Sequence, residues 1–560
     1  MSKINFGKRT LIPAIHFLLS FVWEWLVLIP KDRAAVAFSI PLTDVFSDGF
    51  EQAMCYVISK VMAGIIIFLL WKLVFDVFDK KIDKETVTVF SIILAVGAAV
   101  TIILWPDVFE AGGDNFIPYS YAIRLMPEYW HSIYLSCLYT ASLMVFPHAV
   151  SINLLQMLAF VTAVGYLYNR MKNCETLGKA RFLRFFLLIM FVLRDSFTVA
   201  TNPERAEYNA SFTLLFVSIV LMDILEQKVR NRRELVALTI FAAFLAVFRS
   251  EGIVVAVLSF IALIVLAYKP NLKSAIGIFA LLLAAFTVFK LPPKVGDIKY
   301  YGSDYSIVNS FNPLHNIFCA ESANLSYEGV GDDLEAIGAI TPIEYIKEFD
   351  SEGYRRYNYA SGRLDINQSA AGAEVSAAYK KAYANIVKHN LGIYVKTQFH
   401  MLMQAAGIHG AEYVEPYTGN GTGLEQFGQE LWDVGRYDYQ DIPGKYTWIR
   451  NGLRNTIAKA ITLPRLAYVN FLTKSYIYTI GLILEVLVGI FIVLDTLIKL
   501  IRKKPAQLGA GVIAFILSGF VLLLALVMPV GANMYFHAYI YSMFAVIVVY
   551  CAGIMRLRKL

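Results

Sequence analysis

The sequence predicts an all-α polytopic membrane protein: about twelve transmembrane helices and a mixed, mainly helical extracytoplasmic domain. Three observations predict it. Of 560 residues, 58% are hydrophobic and only 17% are charged, against about 45–50% and about 25% in soluble chains. Mean hydropathy is +0.56. The apolar residues also fall in runs of roughly 20, the length a helix needs to cross the hydrocarbon. This composition excludes a soluble enzyme, and the 14% aromatic content excludes disorder. The net charge of +7 comes from short Lys/Arg clusters between apolar runs. That arrangement makes no nucleic-acid surface, and membrane lipid is the expected surrounding.

The runs fall at 11–30, 57–77, 86–105, 150–169, 183–200, 209–226, 236–249, 252–268, 274–291, 474–495, 508–528 and 537–554. The first carries His16, Trp23 and Glu24, which favours an uncleaved span over a signal peptide, although Ala35-Val36-Ala37 resembles a cleavage site. Arg249 and Glu251 separate the seventh run from the eighth, which read as two spans joined by a tight turn. With twelve spans, the clusters around Lys8-Arg9, Lys80-Lys81, Arg170/Lys172, Arg230–Arg233, Lys269/Lys273, Arg502–Lys504 and Arg556/Arg558 all lie on one side. By the positive-inside rule that side is cytoplasmic, and it holds both termini. Counting 132–146 as a further span would carry the basic loop at 170–184 outside. The segment therefore reads as a helix on the outer membrane surface or packed in the outer loop. A multi-pass plasma (inner) membrane protein, bacterial in origin, is the expected setting.

Two outer segments are too long to be connectors, 106–149 and 292–473. The second is polar and Tyr-rich, with Asn-Gly at 420–421 and 451–452 and Pro-Gly at 443–444 as turn signals. Its stretch 373–406 has apolar residues at helical spacing, with Gly392 as a possible break. The chain thus divides into 1–85, 86–291, 292–473 and 474–560. The layout lacks the matched halves on which many transporters are built, so binding or chemistry is expected at the elaborated outer face. The cysteines, Cys55, Cys137, Cys174, Cys319 and Cys551, are odd in number and scattered, with no CxxC. Neither a thiolate zinc site nor a disulfide framework is supported, and they read as small packing residues.

Chemistry-bearing residues cluster at the outer ends of spans. The first outer loop holds Asp107, Glu110, Gly112-Gly113, Asp114, Arg124, Glu128 and His131. A carboxylate here suits a general base toward a hydroxyl acceptor, or a divalent metal beside a lipid-linked phosphate. The loop before the sixth span holds Glu204, Arg205 and Glu207, with Arg194-Asp195 just inside the fifth. Ionisable residues at that depth face the protein interior, where mutual pairing is the structural alternative. Arg249-Ser250-Glu251-Gly252 places an Arg at an outer span end, where it suits a phosphate or an interhelical salt bridge. His537 opens the last span on the same face.

In this layout the chain resembles the GT-C superfamily of integral-membrane glycosyltransferases, which includes protein mannosyltransferases and aminoarabinose transferases. The resemblance lies in the order of parts over 86–554: a span, the acids Asp107 and Asp114, Glu128 to His131, the helix at 132–146, then Pro147-His148 leading into the next span. Arg249-Ser-Glu251-Gly252 looks like the family's Arg-x-Glu-Gly turn. Two departures stand out. His131-Ser132 replaces a His-Pro step, and Met534-Tyr535 replaces an Arg-Tyr entering the last span. The resemblance implies Asp114 as catalytic residue, with Asp107 second, and Glu204 or Glu207 as a further acidic site. It implies transfer, with inversion, of a sugar from a polyprenyl-phosphate carrier to a surface glycan, lipid or protein. Some members use a divalent metal such as Mg or Mn and others none, and the residues leave this open. Two other classes fit part of the pattern. One is an O-antigen ligase or polymerase, leaning on Arg355-Arg356 and His389 of the large outer segment. The other is a lipid or solute transporter or flippase, which requires polar residues deep along several spans.

Overall fold

A computed structural model of the chain describes residues 6–27, 49–104, 116–122, 125–127, 132–148, 150–174, 182, 184–186, 205–226, 230–249, 252, 256, 263, 272–299, 310–348, 373–405, 477–504, 507–527 and 536–557. All elements among these residues are helices. In chain order they are α1 (Phe6–Val27), α2 (Gly49–Phe78), α3 (Lys84–Leu104), α4 (Phe116–Ala122), α5 (Ile133–Val145), α6 (Val150–Asn173), α7 (Arg205–Leu225), α8 (Arg232–Phe248) and α9 (Leu272–Lys299). Then follow α10 (Phe311–Cys319), α11 (Val330–Gly338), α12 (Ile343–Glu348), α13 (Ala373–His389), α14 (Leu391–Ala405), α15 (Ile477–Ile501), α16 (Leu508–Val527) and α17 (His537–Leu557). Four helices among the described residues are long and apolar enough to cross a membrane: α2, α6, α7 and the 272–294 part of α9.

Of these four, α6 and α7 bury 61% and 72% of their apolar windows, while α2 and α9 bury 17% and 11%. The first two are therefore central and the others peripheral, their apolar faces left for lipid. Hydrogen bonds set the directions. At one end of the α6–α7 pair, Tyr208 Oη donates to the Ile152 carbonyl at 2.6 Å. At the other, Arg170 Nη2 lies 3.3 Å from Asp223 Oδ1. The two helices thus run parallel. Antiparallel to α6 runs α3, since Tyr168 Oη donates to Glu85 Oε1 at 2.6 Å and Gly97 abuts Met157. Helix α17 packs on α7 and also runs parallel to it: its first residue reaches Glu207, and Gln507, beside Ile224 through Gly509, bonds the Tyr550 carbonyl near its end.

The end holding Asp223 is stitched by charge. Arg230 donates to both oxygens of Asp223 (2.5 and 3.0 Å), and Arg170 also donates to Glu226. Lys172 donates to Asp83 and Glu85, each at 2.6 Å. Helix α8 starts here because Asn231 caps it, accepting from the Glu234 amide at 3.0 Å, which satisfies one of the orphan donors of a first turn.

The helix expected on the membrane surface is α5, and the structure corrects that alternative. All thirteen of its residues are buried, whereas a helix lying at an interface must expose one face. It is instead enclosed by α1, α2, α4 and α6. This gives the first two helices a place in the fold. His16 on α1 accepts at Nδ1 from Trp71 on α2 and contacts the Val145 carbonyl through Nε2, at 3.1 and 3.0 Å. Lys60 joins the same pair, donating to Ser20 with its ammonium 3.7 Å from the Phe21 ring centre, a cation–π contact. The pair α1–α2 thus flanks α5.

In the long segment after α9, α10–α13 share their own core of Phe311, Ile317, Ile337, Tyr379 and Ile386. Of the predicted stretch 373–406, residues 373–405 are described and helical, with the break at Asn390 and not at Gly392. The cause is the Asn390 side chain, which accepts from the Asn324 amide (2.7 Å) and donates to its carbonyl (3.1 Å). Further on, Met401 joins the central core and α14 packs on α16. Helix α9 continues through Pro292-Pro293 to Lys299.

Candidate functional site

The parallel run of α6, α7 and α17 brings three helix N-termini to one end of the core. Each N-terminus carries unbonded amides and a positive partial charge. Glu207 lies in the first turn of α7. It is 1% exposed, and its Oε2 lies 2.9 Å from Nδ1 of His537, the first residue of α17. The His537 ring stacks parallel to Tyr541 one turn on.

Arg249 ends α8 in an extended conformation, 4% exposed. Phe248 and Tyr208 belong to one apolar cluster with Tyr139 of α5 and Ile152 of α6. Arg249 follows Phe248 and Glu207 precedes Tyr208 in sequence, so the cation and the acid flank the same cluster. The turn after Arg249 closes through the Gly252 amide, which donates to the Arg249 carbonyl at 2.9 Å. A Cβ at Gly252 would collide with the Leu245 carbonyl. Glycine at 252 therefore has a steric reason, close backbone approach.

Of the residues predicted for the site, Glu207 and Arg249 are buried at this end and Arg205, half-buried, opens α7. Asp107, Asp114, Glu128, His131, Glu204 and Glu251 lie outside the described residues. The partner described for His537 is Glu207. No group of three or more His, Cys, Asp or Glu suited to a metal occurs among the described residues.

Sequence reasoning passed over a set of buried neutral polar groups. Ser151 and Asn153 lie in the first turns of α6, Asn209 in α7, and Tyr539 and Ser542 in α17. Each has a side-chain oxygen or nitrogen with no hydrogen-bond partner among the described residues, and Asn153 has both amide atoms so placed at 0% exposure. Leaving such a group unmatched costs roughly 1–3 kcal/mol, so water or ligand is the usual complement. Gln156 and Glu485 are buried too. Their signal was visible as polar letters inside apolar runs.

The acid and the imidazole form a hydrogen-bonded pair through which a proton can pass. The neutral donors and acceptors suit a hydroxyl-rich ligand or ordered water. Compared with known proteins, the chain matches no family model, no curated protein and no solved structure.

Proposed function

We propose that this chain is an integral-membrane glycosyltransferase of GT-C type, with about twelve spans and both termini in the cytoplasm. It moves a sugar from a polyprenyl-phosphate carrier to a glycan, lipid or protein acceptor on the outer face. The observation that carries this reading is the buried Glu207–His537 pair at an end shared by three helix N-termini, with buried Arg249 following Phe248, whose ring packs on Phe212 of α7. The relative helix directions support the span order, since the Lys172, Arg170 and Arg230 ends come together opposite the Glu207 end. In this reading Asp114, or Asp107, is the base that takes the acceptor hydroxyl proton. Glu207 with His537 forms the second acidic site, and Arg249 faces the carrier phosphate. Glu204, Arg205, Glu251, Glu128 and His131 line the substrate, and a divalent metal such as Mg or Mn remains compatible with the acids of the first loop.

The test is surface-glycan composition in cells carrying the wild type, Asp114→Asn, Glu207→Gln or no gene, at matched membrane levels. Loss of one sugar in both the deletion and the Asp114→Asn strain supports the transferase. A change in chain length alone moves the assignment to a ligase or polymerase. A second reading, a lipid or solute transporter, is favoured by the unmatched polar groups on α6, α7 and α17. Unchanged glycans in the deletion, with altered uptake or lipid sidedness, would select it.

A further inference from the structure

We infer that Cys55 and Cys137 form a disulfide that ties α2 to α5. The two sulfurs are 3.8 Å apart, across 82 residues of sequence, and the Cys137 thiol also lies 3.9 Å from the Cys55 carbonyl. Both side chains are buried, at 2% and 0% exposure. They sit near the end of α2 opposite Asp79, which binds Arg9 at the start of α1. In the orientation proposed above, on which this inference rests for its compartment, that end faces the oxidising outer side, where disulfides persist.

The fold gives the link a purpose. Helix α2 buries only 17% of its apolar window, so most of that surface faces lipid, and lipid supplies no hydrophobic drive holding one helix to another. Helix α5, by contrast, is wholly enclosed, and its Tyr139 lies 6.4 Å from Tyr208, the neighbour of Glu207. A covalent tie between the peripheral and the enclosed helix holds α2 where packing alone holds it weakly. The chemistry balances as follows: the two thiols lose two protons and two electrons, the Sγ–Sγ bond forms, and the disulfide of an extracytoplasmic thiol oxidoreductase is reduced to its dithiol. Because both thiols are enclosed in the folded protein, the exchange takes place before α5 is covered.

The test is differential alkylation of the full-length protein. Membranes are dissolved in SDS with light N-ethylmaleimide, then reduced and treated with the heavy reagent, and peptides are read by mass spectrometry. Heavy label on Cys55 and Cys137, with light label on Cys174 at the far end of α6, is expected. Light label on both overturns the inference, whatever the glycan assay shows. In Cys55→Ser, Cys137 should switch from heavy to light, and heavy label persisting there also overturns it. Should that variant fail to accumulate, a reductant-dependent fall in the melting temperature of the wild-type protein serves instead. No fall counts against the link.

Discussion

His537 Nδ1 and Glu207 Oε2 stand 2.9 Å apart, 330 positions from each other in the chain. The pair joins the first turns of α7 and α17, so it is both a fastening and the centre of the candidate site. Removing one partner of a buried hydrogen-bonded pair leaves the other unmatched, at a cost of roughly 1–3 kcal/mol. His537→Ala should therefore lower the unfolding temperature of the purified protein sharply. Glu207→Gln keeps an acceptor for the imidazole and should cost about 1 kcal/mol while abolishing activity. An active Glu207→Gln protein would remove this residue from the chemistry.

Asp223 offers a contrast at the other end of the same helix. Its carboxylate is 2% exposed and takes Arg230 on both oxygens and Arg170 on one. Asp223→Ala removes the buried carboxylate that both guanidiniums share, leaving Arg170 with Glu226 and Arg230 with Glu234, at a cost of up to roughly 3–5 kcal/mol. The expected result is little folded protein in membranes. Changing Arg170 as well should recover part of the loss, and a double-mutant cycle measures how much.

Acid should loosen the loop before α3. Burial acts to raise the Asp83 carboxyl, but hydrogen bonds from Lys172 and Thr86 outweigh it and hold the group below its usual value. A depressed folded-state value means the stabilisation is full above the unfolded value, about 3.9, and fades as pH falls toward the folded one. Melting temperatures recorded from pH 6 to pH 3 should fall less steeply for Asp83→Asn than for the wild type. Equal slopes would show that Asp83 contributes nothing to the acid response.

Gly252 should be intolerant of any side chain. Its Cβ would meet a backbone carbonyl of α8, which cannot rotate away. Gly252→Ala is expected to displace the Arg249 turn, with a cost in the range of overpacked cores, about 1–3 kcal/mol. Protease sensitivity of the 249–252 turn in membranes, compared with Gly277→Ala, where the space is open, is the measurement.

Much of the helical layout was legible because helix formation in an apolar setting is local. Hydropathy runs locate α2, α6, α7 and α9. The candidate site was legible in part. Glu207, Arg249 and His537 stood out as ionisable letters at span ends. Asn153 and Tyr539 did not, since one polar letter in an apolar run carries no statement of what surrounds it.

Residue composition and periodicity by themselves determined that the chain is helical and apolar, and which residues carry charge near helix ends. Burying backbone polar groups in an apolar medium leaves the helix as the local solution. Only the tertiary structure decided that α5 is enclosed rather than laid on a surface, that Cys55 meets Cys137, and that Glu207 meets His537. Each of those depends on which helix faces which, and that choice rests on side-chain packing between segments far apart in sequence.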